Sequence, residues 1–229
     1  MTTKYFNEIG GHYDSRFYKG NVRPENKVVI LRELLSKFSQ YCISQDIKCI
    51  IMHGSLMGWF FNKKILPWDN DIDVCVSFSD LVKLQSTNYF NNHFLLDINP
   101  NYVNRETKNK HPRDSTDKNK IDARFICKNT GIYIDITALY KYNNILSTKC
   151  PHYYKMEDMY SLKSGVFENC HIYIPNNYLK VLVKEYGPAF INQKASASNT
   201  YKGYSFDPVL KKWNKINNHP ASFMNVYYR

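Results

Sequence analysis

The chain has 229 residues, of which 43% are hydrophobic and 15% aromatic, and its formal net charge is +11. This length supports one sizeable core, and the apolar content excludes a disordered chain. The excess of Lys and Arg indicates either an anionic partner or a solvated basic face. No apolar run of about 18 residues occurs and the polar segment 1–17 lacks a signal-peptide pattern, so we expect no membrane span in these residues.

Hydrophobic periodicity predicts the secondary structure along the chain. Apolar residues at spacings of three and four indicate helices, strict alternation indicates strands, and Gly or Pro marks the ends of segments. The predicted elements are a helix from Pro24 to about Asp46, a strand at 48–53, a short helix at 56–61, a strand from Asp71 to Val76, a helix with Ser79 as its N-cap, strands at 94–98, 121–127, 132–137 and 172–174, a helix after Pro175-Asn176 that ends at Gly187-Pro188, and a short helix at 208–216.

This order of elements predicts an α/β (α+β) fold with one mixed sheet flanked by helices. We expect a single domain over residues 1–229, with its core at about 24–190 and a C-terminal extension at 191–229. Residues 99–120 are rich in Asn, Lys, Arg and Asp and predict an exposed polar loop. A loop of this length is often functional and could close over an anionic substrate; the alternative is a merely solvated loop.

Three carboxylates form the main candidate for a chemical site. Asp71 and Asp73 are two residues apart on a predicted strand, so both project from one face, about 6.6 Å apart along the chain. Asp135 alternates with apolar residues in the strand that ends the predicted 121–137 hairpin. Unpaired buried carboxylates are costly, and a divalent cation removes that cost, so these residues are candidate metal ligands and catalytic residues. The alternative is an exposed strand that carries acidic residues.

Gly54 and Ser55 stand between a buried strand and a short helix. A glycine there lets the backbone approach a ligand closely, and a helix N-terminus offers N–H groups to a phosphate, to which Ser55 adds a hydroxyl. A strand with Gly-Ser at its end, then Asp-apolar-Asp, then apolar-Asp is the order typical of the nucleotidyltransferase fold.

Three further residues leave alternatives open. Arg124 lies in a strand beside that of Asp135, where it could bind a donor phosphate or form a structural ion pair with Asp122 or another acid. His53 is either a hydrogen-bonded structural residue or a base. Trp68 either stacks on a base or sugar or packs in the core.

The cysteines give a weaker signal. There are six of them and no CxxC pair, so disulfides are allowed but not required. A zinc site could be assembled from four residues, although their spacing matches no strong template: Cys150, His152, Cys170 and His171.

The segment from His53 to Val74, HGSLMGWFFNKKILPWDNDIDV, resembles the signature of the LicD/fukutin-related family of phosphotransferases. IDARFI at 121–126 and GIYIDITAL at 131–139 are similar to its second block, and FENCHIYIP followed by YLKVLVKEYG is similar to its C-terminal block. The opening segment, KYFNEIGGHYDSRFY, is similar to yeast members linked to mannosylphosphate transfer onto cell-wall glycans.

The resemblance implies that Asp71 and Asp73 bind Mg²⁺ or Mn²⁺ and that Asp135 completes the site. Asp69 would assist them or cap the strand. The implied reaction moves a phosphate-linked group from a nucleotide-sugar-type donor onto a glycan hydroxyl. By the yeast-like similarity, the donor is GDP-mannose and the transferred group is mannose 1-phosphate.

The chain departs from the family pattern near the end of this segment. Many bacterial relatives carry Arg at the position of Phe61 and Gly at that of Lys64. If that Arg contacts the donor phosphate, Lys63 or Lys64 has to replace it. Together with Gly54-Ser55 and Arg124, Lys63 is therefore a candidate substrate-binding residue.

Other functions remain open. A phosphocholine- or ribitol-phosphate-type transferase of the same family would share the carboxylates and differ in its donor pocket. A nucleic-acid nucleotidyltransferase would suit the charge, but no RNA-binding module or basic-aromatic stripe is present, so no nucleic-acid partner is expected. A non-catalytic accessory subunit of a partner mannosylphosphate transferase is the third alternative. The resemblance implies the Golgi lumen, with an anchor outside these residues; the cytoplasm is the alternative.

Overall fold

A computed structural model describes residues 4–20, 22–87, 89, 91–105, 119–150, 152–191 and 200–216. The helices are α1 Pro24–Ser44, α2 His53–Asn62, α3 Phe78–Thr87, α4 Met156–Met159 and α5 Tyr178–Tyr186, with one 3₁₀ turn at Pro100–Val103. The strands are β1 Glu8–Ile9, β2 Tyr13–Asp14, β3 Ile50–Ile51, β4 Asp73–Ser77, β5 Phe94–Ile98, β6 Ala123–Cys127, β7 Tyr133–Tyr142, β8 Ile145–Ser147, β9 Tyr153–Lys155, β10 Lys163–Phe167, β11 Cys170–Ile174, β12 Thr200–Tyr201, β13 Tyr204–Asp207 and β14 Lys212–Lys215.

One mixed sheet forms the centre of the fold, in the strand order β10-β11-β3-β4-β7-β6-β5. In this sheet β4 is antiparallel to β3 and parallel to β7, and β7 is antiparallel to β6. The last part of β7 pairs with β8, while β1–β2 and β12–β14 form two small separate sheets. The predicted fold class, a mixed sheet flanked by helices, is confirmed, and the single domain over 1–229 stays a prediction.

Helices cover the sheet because each carries one apolar stripe. In α1 the side chains of Leu31, Leu35 and Phe38 are fully buried, and the helix packs on β6, β7 and β11. Burial of each such side chain contributes about 1.5–3 kcal/mol, so tertiary packing supplies most of the stability of this helix. Helix α2 packs on β4 and against α5. Among the described residues, no helix is long and apolar enough to cross a membrane.

The central pair of strands separates the core from the candidate site. Val74 and Val76 in β4 and Ile134 and Ile136 in β7 are at most 1% exposed. Because side chains alternate along a strand, the residues between them face the other side of the sheet. The predicted orientation of these two strands is therefore confirmed.

Two predicted boundaries near this pair are wrong. Strand β4 begins at Asp73, so Asp71 lies in the segment that precedes the strand. Strand β3 is only two residues long, because His53 already opens α2.

The start of α3 also differs from the prediction. The helix begins at Phe78, and the Ser77 hydroxyl accepts the N–H of Asp80 at 3.1 Å. Ser77 is therefore the N-cap, two residues before Ser79, to which the sequence assigned this role.

The predicted C-terminal helix at 208–216 is wrong, because this segment forms the turn and second strand of the β13–β14 hairpin. One Asp207 oxygen accepts the N–H groups of Val209 and Leu210, each at 2.9 Å, which is an Asx-type turn. The same side-chain chemistry caps helices, so the sequence alone does not separate the two outcomes. Tertiary packing favours the hairpin over the helix, because the ring centroids of Trp213 and Phe61 lie 4.8 Å apart.

The predicted polar loop at 99–120 is anchored rather than exposed at its two ends. Asn99 and Asn119 are 0% and 3% exposed and are joined by a hydrogen bond of 3.2 Å between their side chains. Residues 106–118, which hold most of its charge, lie outside the described residues. Closure of this loop over a substrate stays a prediction.

Gly58 in α2 is where close packing can be tested. A Cβ at this position would overlap the backbone carbonyl oxygen of Lys64. We expect Gly58→Ala to lower the free energy of unfolding by about 1–3 kcal/mol, measured by urea denaturation, because backbone has to move. At Gly10 a Cβ would meet nothing within 4 Å, so Gly10→Ala is the matched control. Equal stability of the two variants would contradict the tight α2 packing.

Candidate carboxylate site

A pocket of about 160 Å³ opens beside the start of β4. Charged side chains of both signs, two large aromatic rings and two apolar side chains line it: Asp69, Asp71, Asp73, His53, Lys202, Trp68, Tyr186, Met57 and Leu66. Gly54 contributes the first turn of α2 to the same wall. The structure thus brings the predicted Gly54 and two of the three predicted acids to one place.

Asp135 joins this group through strand pairing. Asp73 and Asp135 are direct partners in the parallel β4–β7 pair, so their side chains leave the same face of the sheet side by side. The N–H of Asp135 donates to the carbonyl of Ile72 at 3.1 Å, which fixes this register. The sequence predicted this meeting only on the condition that the two strands are neighbours.

Ser55 holds the first residue of β4 in place. Its hydroxyl oxygen accepts the N–H of Asp73 at 3.1 Å, and its side chain is buried. Ser55 therefore positions a carboxylate in this structure, whereas the sequence predicted that it donates to a phosphate. That second role stays a prediction.

Crowding of like charges changes the acidity of the site. Burial is the main reason that the pKa of Asp73 is raised to about 8. The neighbouring carboxylates of Asp71, Asp135 and Asp69 also raise this pKa, whereas His53 opposes the increase. Burial and the Asp71 charge raise the pKa of Asp69 to about 7, although Lys202 opposes this. Burial raises the pKa of Asp135 to about 6 despite the Arg124 cation beside it. Neighbouring carboxylates oppose each other's ionisation, and a bound divalent cation removes that repulsion. Carboxylate oxygens are also the ligands that a hard divalent cation prefers.

Gly54 permits the closest approach in the site. A Cβ at this position would lie 2.6 Å from Oδ2 of Asp69, which is closer than any real carbon–oxygen contact. The absence of a side chain therefore lets Asp69 reach the first turn of α2. The group that approaches Gly54 in the structure is Asp69, so the predicted approach of a ligand stays a prediction.

Arg124 forms the ion pair that was one of its two predicted roles. Its Nε donates to Oδ1 of Asp135 at 2.9 Å, and the residue is 2% exposed. The guanidinium also lies 3.7 Å from the ring centroid of Tyr133 and 3.6 Å from Asp14. Of the two predicted partners, Asp122 or another acid, the structure shows another acid: Asp135, with Asp14 at a longer distance. A buried, stacked guanidinium positions the Asp135 carboxylate, and its predicted contact with a donor phosphate stays untested.

Lys63 lies away from the pocket. It is the C-cap of α2, so about nine residues, or roughly 13 Å of helix, separate it from Gly54. Its ammonium group lies 3.1 Å from the ring centroid of Trp59. Lys202, in the turn between β12 and β13, is the lysine that lines the pocket. No local pattern marks Lys202 in the sequence, because a polar turn 129 residues beyond Asp73 gives no sign of where it folds back.

The N-terminal hairpin covers another side of the site. Nε2 of His12 lies 3.8 Å from Oδ2 of Asp71, and the Tyr133 hydroxyl donates to Glu8 at 2.7 Å. Buried Asp14 accepts from Arg16 at 2.9 Å and faces Arg124. Sequence periodicity missed these residues, and the similarity of the opening segment to yeast proteins was the only signal for them.

A second polar cluster, which no sequence pattern predicted, lies beside the carboxylates. Nδ1 of His53 lies 3.1 Å from Oε2 of Glu185, and the His53 and His152 rings are 4.6 Å apart between centroids. Burial disfavours a charged His53, but Glu185 outweighs it and raises the His53 pKa to about 9. Burial and the His53 charge lower the pKa of His152 to about 4. His53 is thus hydrogen-bonded, as one of its predicted roles required, and it also faces the pocket.

A family model assigns the class of this fold and site. The model described as LicD/FKTN/FKRP, nucleotidyltransferase domain, matches residues 46–177, more than half of the chain. The chain therefore belongs to this family, as the motif resemblance predicted. The matched range contains Gly54, the Asp71–Asp73 segment and Asp135, and it ends before Glu185 and Lys202.

Particular relatives come from yeast. Mannosyltransferase regulator 4 of Saccharomyces cerevisiae is 32% identical over 149 residues, which are 59% of this chain and 12% of that protein. Mannosyltransferase regulator 14 of the same organism is 29% identical over 162 residues, 61% of this chain and 17% of that protein. The aligned region thus spans less than a fifth of either relative. The predicted similarity to yeast proteins of mannosyl transfer is confirmed.

The raised pKa of Asp73 predicts a pH-dependent stability. The folded chain keeps this proton up to about pH 8, whereas an unfolded Asp loses it near about pH 4, so its contribution to the free energy of unfolding falls between these values. We therefore compare the free energy of unfolding of Asp73→Asn with that of wild type by urea denaturation in the presence of a chelator. From about pH 5 to pH 8 the difference should change by roughly 1–3 kcal/mol in favour of the variant.

The exposed acid Asp46 provides the control for that titration. Asp46→Asn and wild type are expected to change in parallel over the same pH range. If Asp73→Asn also stays parallel to wild type, the carboxylates are not crowded in the way the structure indicates.

Proposed function

We propose that this chain is a metal-dependent phosphotransferase that moves a phosphate-linked group from a nucleoside-diphosphate donor onto a glycan hydroxyl. The observation that carries the proposal is that Asp71 and Asp73 line one pocket of a nucleotidyltransferase-family fold and that Asp135 is paired directly beside Asp73. A purely structural role would favour pairing each acid with a cation, whereas burial and neighbouring acids raise the pKa of Asp73.

The donor set fits a divalent cation such as Mg²⁺ or Mn²⁺. Asp71, Asp73 and Asp135 would hold it, and Asp69 is close enough to Gly54 and Asp71 to assist. When bound, such a cation neutralises the charge that develops on the oxygens around a transferred phosphorus.

The pocket also offers groups for the donor. Gly54 presents the first turn of α2, where unpaired backbone N–H groups favour a phosphate. Lys202 adds a cation on the same wall, in the role first assigned to Lys63. Trp68 lines the pocket with a 4.8 Å edge contact to Trp213, so its ring is held rigidly enough to stack on a base or sugar.

Asp135 is the group best placed to orient the acceptor. Its Oδ1 is held by Arg124, and its pKa of about 6 leaves it ionised near neutral pH, as a general base requires. In this reaction Asp135 accepts the hydroxyl proton, the hydroxyl oxygen attacks phosphorus, and a nucleoside monophosphate leaves. Positioning by these fixed groups would supply most of the acceleration.

The names of the yeast relatives favour a mannosyl group. On that basis we propose GDP-mannose as donor, a glycan mannose as acceptor and the Golgi lumen as location. A phosphocholine or ribitol-phosphate donor would use the same carboxylates. The relatives are much longer than the aligned region, so this assignment draws on their names alone.

Donor-dependent release of nucleoside monophosphate tests the proposal. With Mn²⁺ or Mg²⁺ and a mannan acceptor, we expect release from GDP-mannose but not from CDP-choline or CDP-ribitol. Because Asp71 and Asp73 would hold the cation, Asp71→Asn with Asp73→Asn should lower kcat by at least about 100-fold, while Asp46→Asn should not change it. Release from another donor would retain the mechanism and change the substrate.

The word regulator in both relatives' names favours a second candidate, an accessory subunit of a mannosylphosphate transferase. Such a subunit would stimulate a partner enzyme and tolerate Asp71→Asn. Absence of release from every donor by the chain alone, with stimulation of a partner that survives Asp71→Asn, would favour this candidate over catalysis.

Lys202→Ala tests the assignment of the donor phosphate. A charge-assisted contact contributes about 1.5–3 kcal/mol, so we expect nucleoside-diphosphate binding in the presence of Mn²⁺ to weaken by about 10–100-fold in calorimetry. Lys211 has a similar backbone, with φ of 50° against 48° at Lys202, and lies exposed in the neighbouring turn, so Lys211→Ala is the control. Equal affinities of the two variants would remove Lys202 from the site.

A further inference from the structure

Three potential nitrogen and oxygen ligands converge from distant parts of the chain. His53 opens α2, His152 lies in the connection between β8 and β9, and Glu185 lies in the last turn of α5. One ligand atom from each lies within 4.8 Å of the other two. His53 adopts a left-handed backbone, with φ of 51°, to begin the helix at this point. Such strain persists only where the surroundings require it.

We propose that His53, His152 and Glu185 form a zinc site beside the carboxylate pocket, with water as the fourth ligand. Two imidazoles and one carboxylate are a donor set that suits Zn²⁺ and leaves one position open. Mg²⁺ prefers oxygen ligands only, so the proposed zinc site and the all-oxygen aspartate site differ in the cations they select.

The geometry requires little rearrangement. Ligand atoms on a tetrahedral zinc, at bonds of about 2.0–2.1 Å, lie about 3.4 Å apart. Nδ1 of His53 and Oε2 of Glu185 are already 3.1 Å apart. The rings of His53 and His152 are tilted by 47°, with their centroids 4.6 Å apart. All three ligand atoms lie within 4.8 Å of one another, so the longest separation would have to shorten by at most about 1.4 Å to reach tetrahedral spacing.

Tyr154 supplies the outer support that such sites use. Its hydroxyl donates to Oε1 of Glu185 at 2.6 Å, which leaves Oε2 facing the histidines. Its ring lies parallel to that of His152, with an angle of 5° and centroids 6.2 Å apart. Groups that orient metal ligands in this way typically change metal affinity about 10–100-fold.

The alternative is a metal-free ion pair between His53 and Glu185. In that alternative the His152 ring packs against the rings of His53 and Tyr154 and takes no part in the ion pair. Zinc would tie α2, the β8–β9 connection and α5 together at the rim of the pocket. The site does not depend on catalysis at the carboxylates, so the two proposals can fail separately.

Metal analysis of the 229-residue chain tests the proposal. The protein is stripped with chelator, titrated with ZnCl₂ or CoCl₂, and measured by mass spectrometry of bound metal and by the visible absorption of tetrahedral cobalt. We expect one zinc per chain, with affinity lowered at least about 100-fold in His152→Ala and about 10–100-fold in Tyr154→Phe. His171→Ala, at an exposed histidine of β11, and Asp71→Asn should both retain it.

X-ray absorption of the zinc-loaded wild type keeps the test independent of how the variants fold. We expect only nitrogen and oxygen neighbours at about 2.0–2.2 Å. A sulfur shell at about 2.3 Å would overturn the proposal, because it would place zinc on cysteine. Failure of the wild type to bind zinc, or equal binding by Tyr154→Phe and His171→Ala, would overturn it as well and favour the ion pair.

Discussion

The parallel pairing of β4 with β7 is the constraint on which the site depends. It sets Asp73 directly beside Asp135, on the face of the sheet opposite Val74 and Ile136. Two carboxylates at neighbouring positions repel each other, and a one-residue slip of either strand would turn its carboxylate into the apolar layer. The pair is held because the alternate residues of both strands are packed in the core, with Val74 and Ile136 at most 1% exposed. Core packing thus provides the free energy that keeps like charges together.

The surroundings of these two acids are arranged to hold each one differently. The Ser55 hydroxyl oxygen accepts the backbone N–H of Asp73, while Arg124 donates to the side chain of Asp135. One acid is therefore fixed through its N–H, with its oxygens left to the pocket, and the other is fixed through one oxygen. Different environments on one face produce different acidities, with the pKa of Asp73 above that of Asp135. Such separation is how a single site assigns different roles to chemically equal groups.

The sequence predicted the central part of this structure because local patterns were sufficient there. Alternation in β4 and β7 and the glycine at position 54 follow from neighbours in the chain. The C-terminal hairpin and the edges of the site depend on long-range contacts, which hydrophobic periodicity does not predict. Asp207 has the chemistry of a helix cap and makes a hairpin turn instead, since Trp213 packs on Phe61. Lys202 and His12 reach the site only through folding of whole segments, so composition showed them as ordinary polar residues.

Some residues around the pocket come from outside the segment that holds the carboxylates. The family segment 46–177 brings the carboxylates, whereas His12 precedes it and Lys202 follows it. Mutations in the flanks can therefore change the charge balance around the pocket without touching the strands that hold Asp73 and Asp135. The surroundings of the pocket can thus vary at His12 and Lys202 while the central sheet that pairs Asp73 with Asp135 stays the same.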